Sequence, residues 1–411
     1  MWSMDRENAC PDREADGESC QQSAGGRRRG RFWLSPATWW IVTTSVVCLA
    51  ADAGSSVSAS RGRAVLEDRQ CLACHSLAGE GAGTAPDLGR RSVTSEHSPA
   101  GLAALMWSHG PSMWEQMRQR SMTVTPLTRD EADDLFAYFW SLRYFDLRGE
   151  AVRGKQVFAA KNCATCHSLD PRGVAGEAPA VADWEGLSDP AVWAQQLWNH
   201  SSSMARAMAA RGMAWPEFSE QEMVDLLIYL QNLPASRQRT QRLALSPPPA
   251  GTEMFKAKAC ATCHSLNGES RGSDPLAGTR NDFNTITGFT AAMWNHAPKH
   301  RSPDGDSASS FSADEMGDLI SHLYFNGGFE ESGNPGKGRG LFVKKGCQSC
   351  HGAAADDLVG SGNRFTAASM ASAVWSHGPE MLEEMQKRGI EWPTLARRDV
   401  ADLVAYLDGS Q

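Results

Sequence analysis

The chain has 411 residues and a net charge of −8, with 21% charged and 41% hydrophobic residues. That length implies two to four domains at roughly 100–200 residues each, and the composition is that of an ordinary globular protein. The negative balance argues against a nucleic-acid binder with a basic surface, and 38 Gly with 20 Pro excludes a collagen-like or largely disordered chain.

In chain order, residues 1–31 are polar and close on Arg27, Arg28, Arg29 and Arg31. Residues 32–51 are apolar apart from Ser35, Pro36 and a few Thr and Ser, and Ala51-Asp52-Ala53 follows. A basic region, an apolar region and a small-residue cleavage site make a secretory signal, so residues 1–53 are expected to direct export. The alternative is an uncleaved anchor through residues 32–51, since about 20 apolar residues suffice to span a bilayer. Pro36 and the Ala-x-Ala site favour cleavage. Val47 is too large for the residue before a lipidated cysteine, which argues against lipid attachment at Cys48. Cys10, Cys20 and Cys48 all precede Ala53, so cleavage there leaves eight of the 11 cysteines.

Those eight share one spacing. Cys71-x-x-Cys74-His75, Cys163-x-x-Cys166-His167, Cys260-x-x-Cys263-His264 and Cys347-x-x-Cys350-His351 recur with first cysteines 92, 97 and 87 residues apart. The flanks recur too, which marks a duplicated unit. A Gly and an apolar residue precede each motif: Gly62 and Leu66, Gly154 and Phe158, Gly251 and Phe255, Gly338 and Phe342. This spacing predicts a short lead helix. Downstream lies Trp-x-His: Trp107 and His109, Trp198 and His200, Trp294 and His296, Trp375 and His377. A predicted terminal helix then carries Asp134-Leu135, Asp225-Leu226, Asp318-Leu319 or Asp402-Leu403, followed by Tyr138, Tyr229, His322 or Tyr406. Thr128, Ser219 and Ser312 are placed to cap it; Ala396 in the fourth copy is a weaker cap. The unit reads as lead helix, motif, loop, two middle helices and terminal helix, with no run alternating enough for a strand. The expected domains are 54–148, 149–236, 237–330 and 331–411. Linkers fall at residues 233–251, with Pro247-Pro248-Pro249, and at the Gly-rich residues 326–340. The short link at residues 145–154 suggests that units one and two are joined tightly.

Two thiols three positions apart, followed by His, suit covalent haem attachment. The thiols add to the porphyrin vinyl groups and the His binds iron. A zinc site would want a second Cys or His pair in each unit, and a redox dithiol a βαβ setting. Neither is present.

With these motifs the chain resembles class I c-type cytochromes over about residues 60–411, four times in tandem. The resemblance implies an all-α fold of four tandem cytochrome c-like domains, each a small helical bundle around one haem c. Cys71, Cys74, Cys163, Cys166, Cys260, Cys263, Cys347 and Cys350 would anchor the haems, and His75, His167, His264 and His351 would be proximal ligands. Such domains often place a ligand Met before a Pro near the last helix. Here Trp215-Pro216 and Trp392-Pro393 stand there instead, so the sixth ligand lies elsewhere. Two positions hold a competent side chain in every unit. One is Met113, Met204, His300 and Met381; the other is the Trp-x-His histidines His109, His200, His296 and His377. The first set exchanges Met for His, both iron ligands, and is preferred. On that assignment the third haem is bis-His and has the lowest potential. The third unit also differs by its polar loop at residues 301–307.

The implied function is an exported, periplasmic tetrahaem cytochrome that carries electrons between redox partner proteins, without catalysis or nucleic acid. Haem propionates make the loaded protein more acidic, which suits a basic partner face. Two alternatives stand beside this reading. One is a haem oxidoreductase with a five-coordinate iron in the third unit. The other is a subunit of a membrane complex held through residues 32–51.

Overall fold

The computed structural model describes residues 57–409 apart from 78, 90–97, 143–144, 171–177, 235, 237–242, 247, 265–284, 301–309, 327–328, 353–357 and 359–363. The expected export segment and the polar loop of unit three lie outside the described residues.

Four helical units recur. Each lead helix (Ala59–Asp68, Ala151–Ala160, Pro248–Ala257, Pro335–Lys344) crosses its terminal helix (Arg129–Ser141, Glu220–Gln231, Ala313–Phe325, Arg397–Asp408). The crossing point is the repeated glycine. A methyl at Gly62, Gly154, Gly251 or Gly338 would lie 2.0, 1.9, 2.3 or 1.9 Å from the carbonyl oxygen of Asp134, Asp225, Asp318 or Asp402. Only a residue without Cβ lets the two backbones approach so closely. One helical turn on, Phe158 meets Tyr229, Phe255 meets His322 and Phe342 meets Tyr406, with ring centres 6.0, 4.9 and 5.7 Å apart. The aspartate carboxylates are used as well. Asp134 accepts from Ser58 N and from Arg61 Nε and Nη2, and Asp225 from Glu150 N and Arg153. Asp402 accepts from Asn334 N. These bonds hold the start of the lead helix on the terminal helix.

The terminal helices start as expected. The hydroxyls of Thr128, Ser219 and Ser312 accept from the N–H groups of Glu131, Glu222 and Glu315, and those glutamates reach back in reciprocal capping boxes. Ala396 offers no oxygen, but Asp399 still accepts from its N–H at 3.1 Å.

The structure corrects several expectations. Among the described residues each unit has one middle helix, not two: Pro99–Gln119, Pro190–Ala210 and Ala367–Lys387, of 21 residues each, and Ile286–His296 running into a 3-10 turn at Ala297–His300. Pro111 and Pro379 sit inside the helix without ending it. A proline withholds one N–H from the carbonyl four residues back; in unit one that carbonyl belongs to Trp107, and it accepts the indole N–H of Trp392 at 3.0 Å. Pro248 and Pro249 open the third lead helix, where missing N–H groups cost nothing. Two antiparallel ladders also occur, Val57–Ser58 with Ala244–Leu245 and Ser76–Leu77 with Glu80–Gly81. Two residues per strand are too few to leave an alternating signature.

The units associate in an order the linkers did not suggest. Unit one packs chiefly on unit four, and unit two on unit three. The Trp-x-His segment supplies the latch. Asn295 Nδ2 donates to the Phe218 carbonyl at 2.7 Å while its Oδ1 accepts from Phe218 N at 2.8 Å. Asn199 makes the same two bonds to Phe311, at 2.7 and 2.9 Å. In the other pair serines stand at this position: Ser108 Oγ donates to the Leu395 carbonyl and Ser376 Oγ to that of Leu127. The indoles cross likewise. Trp294 donates to the Pro216 carbonyl, Trp107 to Pro393 and Trp375 to Thr125, and Trp198 lies edge-on to Phe311, 6.1 Å away.

Units one and three meet at Trp140 and Tyr324, whose rings are 4.5 Å apart. Tyr324 donates to Asp133 Oδ1 at 2.8 Å, and Glu330 accepts from Ala367 N of unit four. Burial pushes the Asp133 carboxyl up to about 6 and the Glu330 carboxyl up to about 7. Arg129 beside Asp133 and Arg364 beside Glu330 oppose the rise, and neighbouring acids reinforce it. The folded state thus holds protons that the unfolded chain has released. This contribution to stability is full below about pH 4 and is lost as pH rises through 6 to 7. Thermal unfolding should therefore occur at lower temperature at pH 8 than at pH 5, and Asp133→Asn with Glu330→Gln should reduce that difference.

Candidate functional site

The four motifs share one backbone. The segments Cys71–Ala73, Cys163–Thr165 and Cys260–Thr262 are 3-10 turns, and Gln348–His351 is a single helical turn. In each, the N–H of the motif histidine donates to the carbonyl of the first cysteine, at 3.0, 3.0, 2.9 and 3.0 Å for His75, His167, His264 and His351. The residue before the first cysteine is left-handed every time: Gln70, Asn162, Ala259 and Gly346, with φ of 57°, 61°, 60° and 82°. The lead helix is thereby ended and the cysteines turned toward the helix junction.

A basic residue two positions before each first cysteine locks this turn. Lys161, Lys258 and Lys345 bridge Glu222, Glu315 and Asp399 at 2.9, 2.8 and 3.9 Å, and Arg69 pairs with Glu131. Each acid is the third residue of a terminal helix, so the cap and the motif are tied together. The Lys161 and Lys345 ammonium groups also donate to the carbonyls of Glu217 and Thr394, and Lys258 to that of Ser310. Sequence reasoning missed these residues, although a base stands there in all four copies.

The eight cysteines form no disulfide. Burial pushes the Cys71 and Cys163 thiols up to about 11, opposite to the lowered thiol of a redox Cys-x-x-Cys. Among the described residues no three His, Cys, Asp or Glu side chains converge as metal ligands, so no zinc site is built there from protein groups alone.

Two of the motif histidines, His75 and His167, have a fixed orientation. His75 Nδ1 lies 2.8 Å from the Pro86 carbonyl, and His167 Nδ1 lies 3.0 Å from that of Pro179. A carbonyl only accepts, so Nδ1 carries the proton and Nε2 keeps its lone pair for a metal. Sequence reasoning also missed Pro86 and Pro179, which stand 11 and 12 residues after their histidines.

In unit two these groups face a cleft of about 1140 Å³ including its open mouth. Cys163, Cys166 and His167 form one side; His200, Met204 and Met208 of the middle helix form another. Trp184, Leu226 and Phe158 close it with apolar surface. A large apolar cleft with two thiols and one oriented imidazole suits a haem, whose body is flat and apolar and whose iron takes nitrogen.

Apart from His300, which ends the 3-10 turn after the third middle helix, the candidate sixth ligands lie on the middle helices. His200 and Met204 line the cleft four residues apart. The His200 ring lies 5.8 Å from that of His167, and in unit three the His296 ring lies 5.9 Å from that of His264. Burial, and then the charge of His167, lower the His200 pKa. His109 and His377 are exposed, while Met113 and Met381 are half-buried against the core. His300 ends the 3-10 turn of unit three, but its side chain lies outside the described residues.

This mostly helical frame places paired thiols at each helix junction and, in units one and two, an imidazole of fixed orientation, a set of groups that suits a covalently held haem. Residues 59–143 and 151–234, the first two units, match the family model described as cytochrome c. The match supports c-type cytochrome domains in these two regions, and with them haem c iron and an electron-carrying role. No curated protein and no solved structure matches the chain.

Of the four left-handed residues before the first cysteines, Ala259 has the least to offset its strain. Ala259→Gly, which copies Gly346, should raise stability by about 1 kcal/mol, read as the midpoint of denaturant unfolding.

Proposed function

We propose that the chain is an exported tetrahaem c-type cytochrome carrying electrons between redox partner proteins, with one haem at each Cys-x-x-Cys-His motif. The observation that carries this reading is the common motif backbone in all four units, including the two that the family model does not match. Bound haem supplies reversible one-electron iron chemistry. Around it the chain has defined tasks. The paired cysteines anchor the porphyrin through thioethers. The Pro86 and Pro179 carbonyls hold the Nδ1 protons of His75 and His167 and so aim Nε2. Apolar walls such as Trp184 and Leu226 keep water from the cleft.

For the sixth position, the ring separations support His200 and His296. The 5.8 and 5.9 Å between ring centres leave room for one metal ion between each facing pair, His167 with His200 and His264 with His296, which would then hold it together. The same position gives His109 and His377 in the outer units. Met113, Met204, His300 and Met381 are the rival set, and Met204 shares the cleft. A second histidine or methionine from each middle helix would, if it held the iron, leave no open position for substrate, which favours a carrier over an enzyme. Export fits a cofactor attached after translocation, and residues 1–53 supply the signal. Among the described residues no helix is long and apolar enough to cross a membrane.

Mass spectrometry of the mature protein tests the central claim. Four haems and loss of residues 1–53 are expected; fewer than four haems overturns the tetrahaem reading. Electron paramagnetic resonance tests the ligands. His200→Ala should turn one haem high-spin while Met204→Leu leaves all four low-spin, and the reverse pattern assigns the methionine.

A further inference from the structure

Trp294 belongs to unit three, two residues before His296, yet it lines the cleft of unit two. Its indole stacks on Trp215 of unit two with ring centres 4.3 Å apart and planes at 21°. It stands edge-on to Phe218, 5.8 Å away, and donates to the Pro216 carbonyl at 2.6 Å. Only 3% of Trp294 is exposed. Trp215, Pro216 and Phe218 form the segment just before the terminal helix, beside the cleft residues Met213 and Leu226. Trp294 and His296 therefore point to different units: the histidine ring faces His264 of its own motif, while the indole closes the neighbour's cleft.

The same exchange recurs across units one and four. Trp107 stacks on Trp392 at 4.7 Å and donates to the Pro393 carbonyl, the positions in unit four that match Trp215 and Pro216. Trp375 returns the contact to Thr125 of unit one at 2.9 Å.

We infer that Trp294 is a wall of the haem site of unit two, so that this site is completed by the indole of the partner unit and its smallest complete binding module is the pair of units two and three. This rests on the reading that the motifs carry haem. An isolated unit two would lack one apolar wall and open its cleft to water. Solvent access stabilises the more charged oxidised form of a haem and lowers its potential.

The test uses the full chain. In Trp294→Ala, mapping haem-bearing peptides by mass gives the occupancy at Cys163–His167 and at Cys260–His264 separately. A redox titration follows the four potentials, with one assigned to unit two through a His167→Met variant. Two outcomes support the inference: lower occupancy at Cys163–His167, or a fall in the potential of that haem, with the Cys260–His264 haem unchanged. A change confined to Cys260–His264, the site in Trp294's own unit, or no change at either, overturns it. Trp294→Phe, which keeps an aromatic ring against Trp215, should restore most of the loss; if Trp294→Ala fails to fold, Trp294→Phe and Trp294→Leu are compared in the same way, and equal behaviour of the two at Cys163–His167 overturns the inference. Haem missing from the wild-type motifs would instead sink the haem reading itself.

Discussion

Everything in each unit hangs from one steric contact, the crossing of lead and terminal helices at a glycine. A Cβ at Gly62, Gly154, Gly251 or Gly338 would collide with a backbone carbonyl that has no room to retreat. The crossing fixes where the lead helix ends. Its end places the left-handed residue, which turns the motif, which aims the histidine. The carboxylate of the same Asp whose carbonyl faces the glycine holds the chain entering the lead helix in three units. Backbone approach and polar anchoring thus share one residue.

The chemistry is layered on this frame without further large elements. A base before each motif reaches the acid that caps the terminal helix, so a surface ion pair of small intrinsic worth acts where it also restrains a turn. A proline carbonyl fixes the tautomer of the motif histidine in units one and two. Neither device adds a helix, and both are short-range consequences of the crossing.

The repeat, the lead and terminal helices and their caps were legible because each follows a local rule of period or capping chemistry. The four Cys-x-x-Cys-His motifs were legible from spacing, and the structure gives all four the same histidine-to-cysteine backbone bond. The middle helix was not, because Gly110-Pro111 and Gly378-Pro379 resemble a break and the structure shows a tolerated interruption with the freed Trp107 carbonyl bonded to another unit. Nor was the order of pairing. Linker length says how far a unit can travel, whereas surface complementarity decides where it stops. Comparing copies narrowed the sixth-ligand candidates to two sets, and in unit two a member of each, His200 and Met204, lines the same cleft four residues apart on one helix.

The residue between Trp and His in each Trp-x-His gains a meaning from the latches. Asn199 and Asn295 each meet one backbone N–H and one carbonyl of the facing unit, Ser376 does the same with Leu127, and Ser108 donates to the Leu395 carbonyl. A chain of four look-alike repeats risks assembling in the wrong combination. In every unit this residue meets the backbone two positions before the neighbour's terminal helix, at Phe218, Phe311, Leu127 or Leu395. Bonds to backbone do not depend on the neighbour's side chains, so the latch sets the register of two paired units and leaves the choice of partner to the surfaces around it.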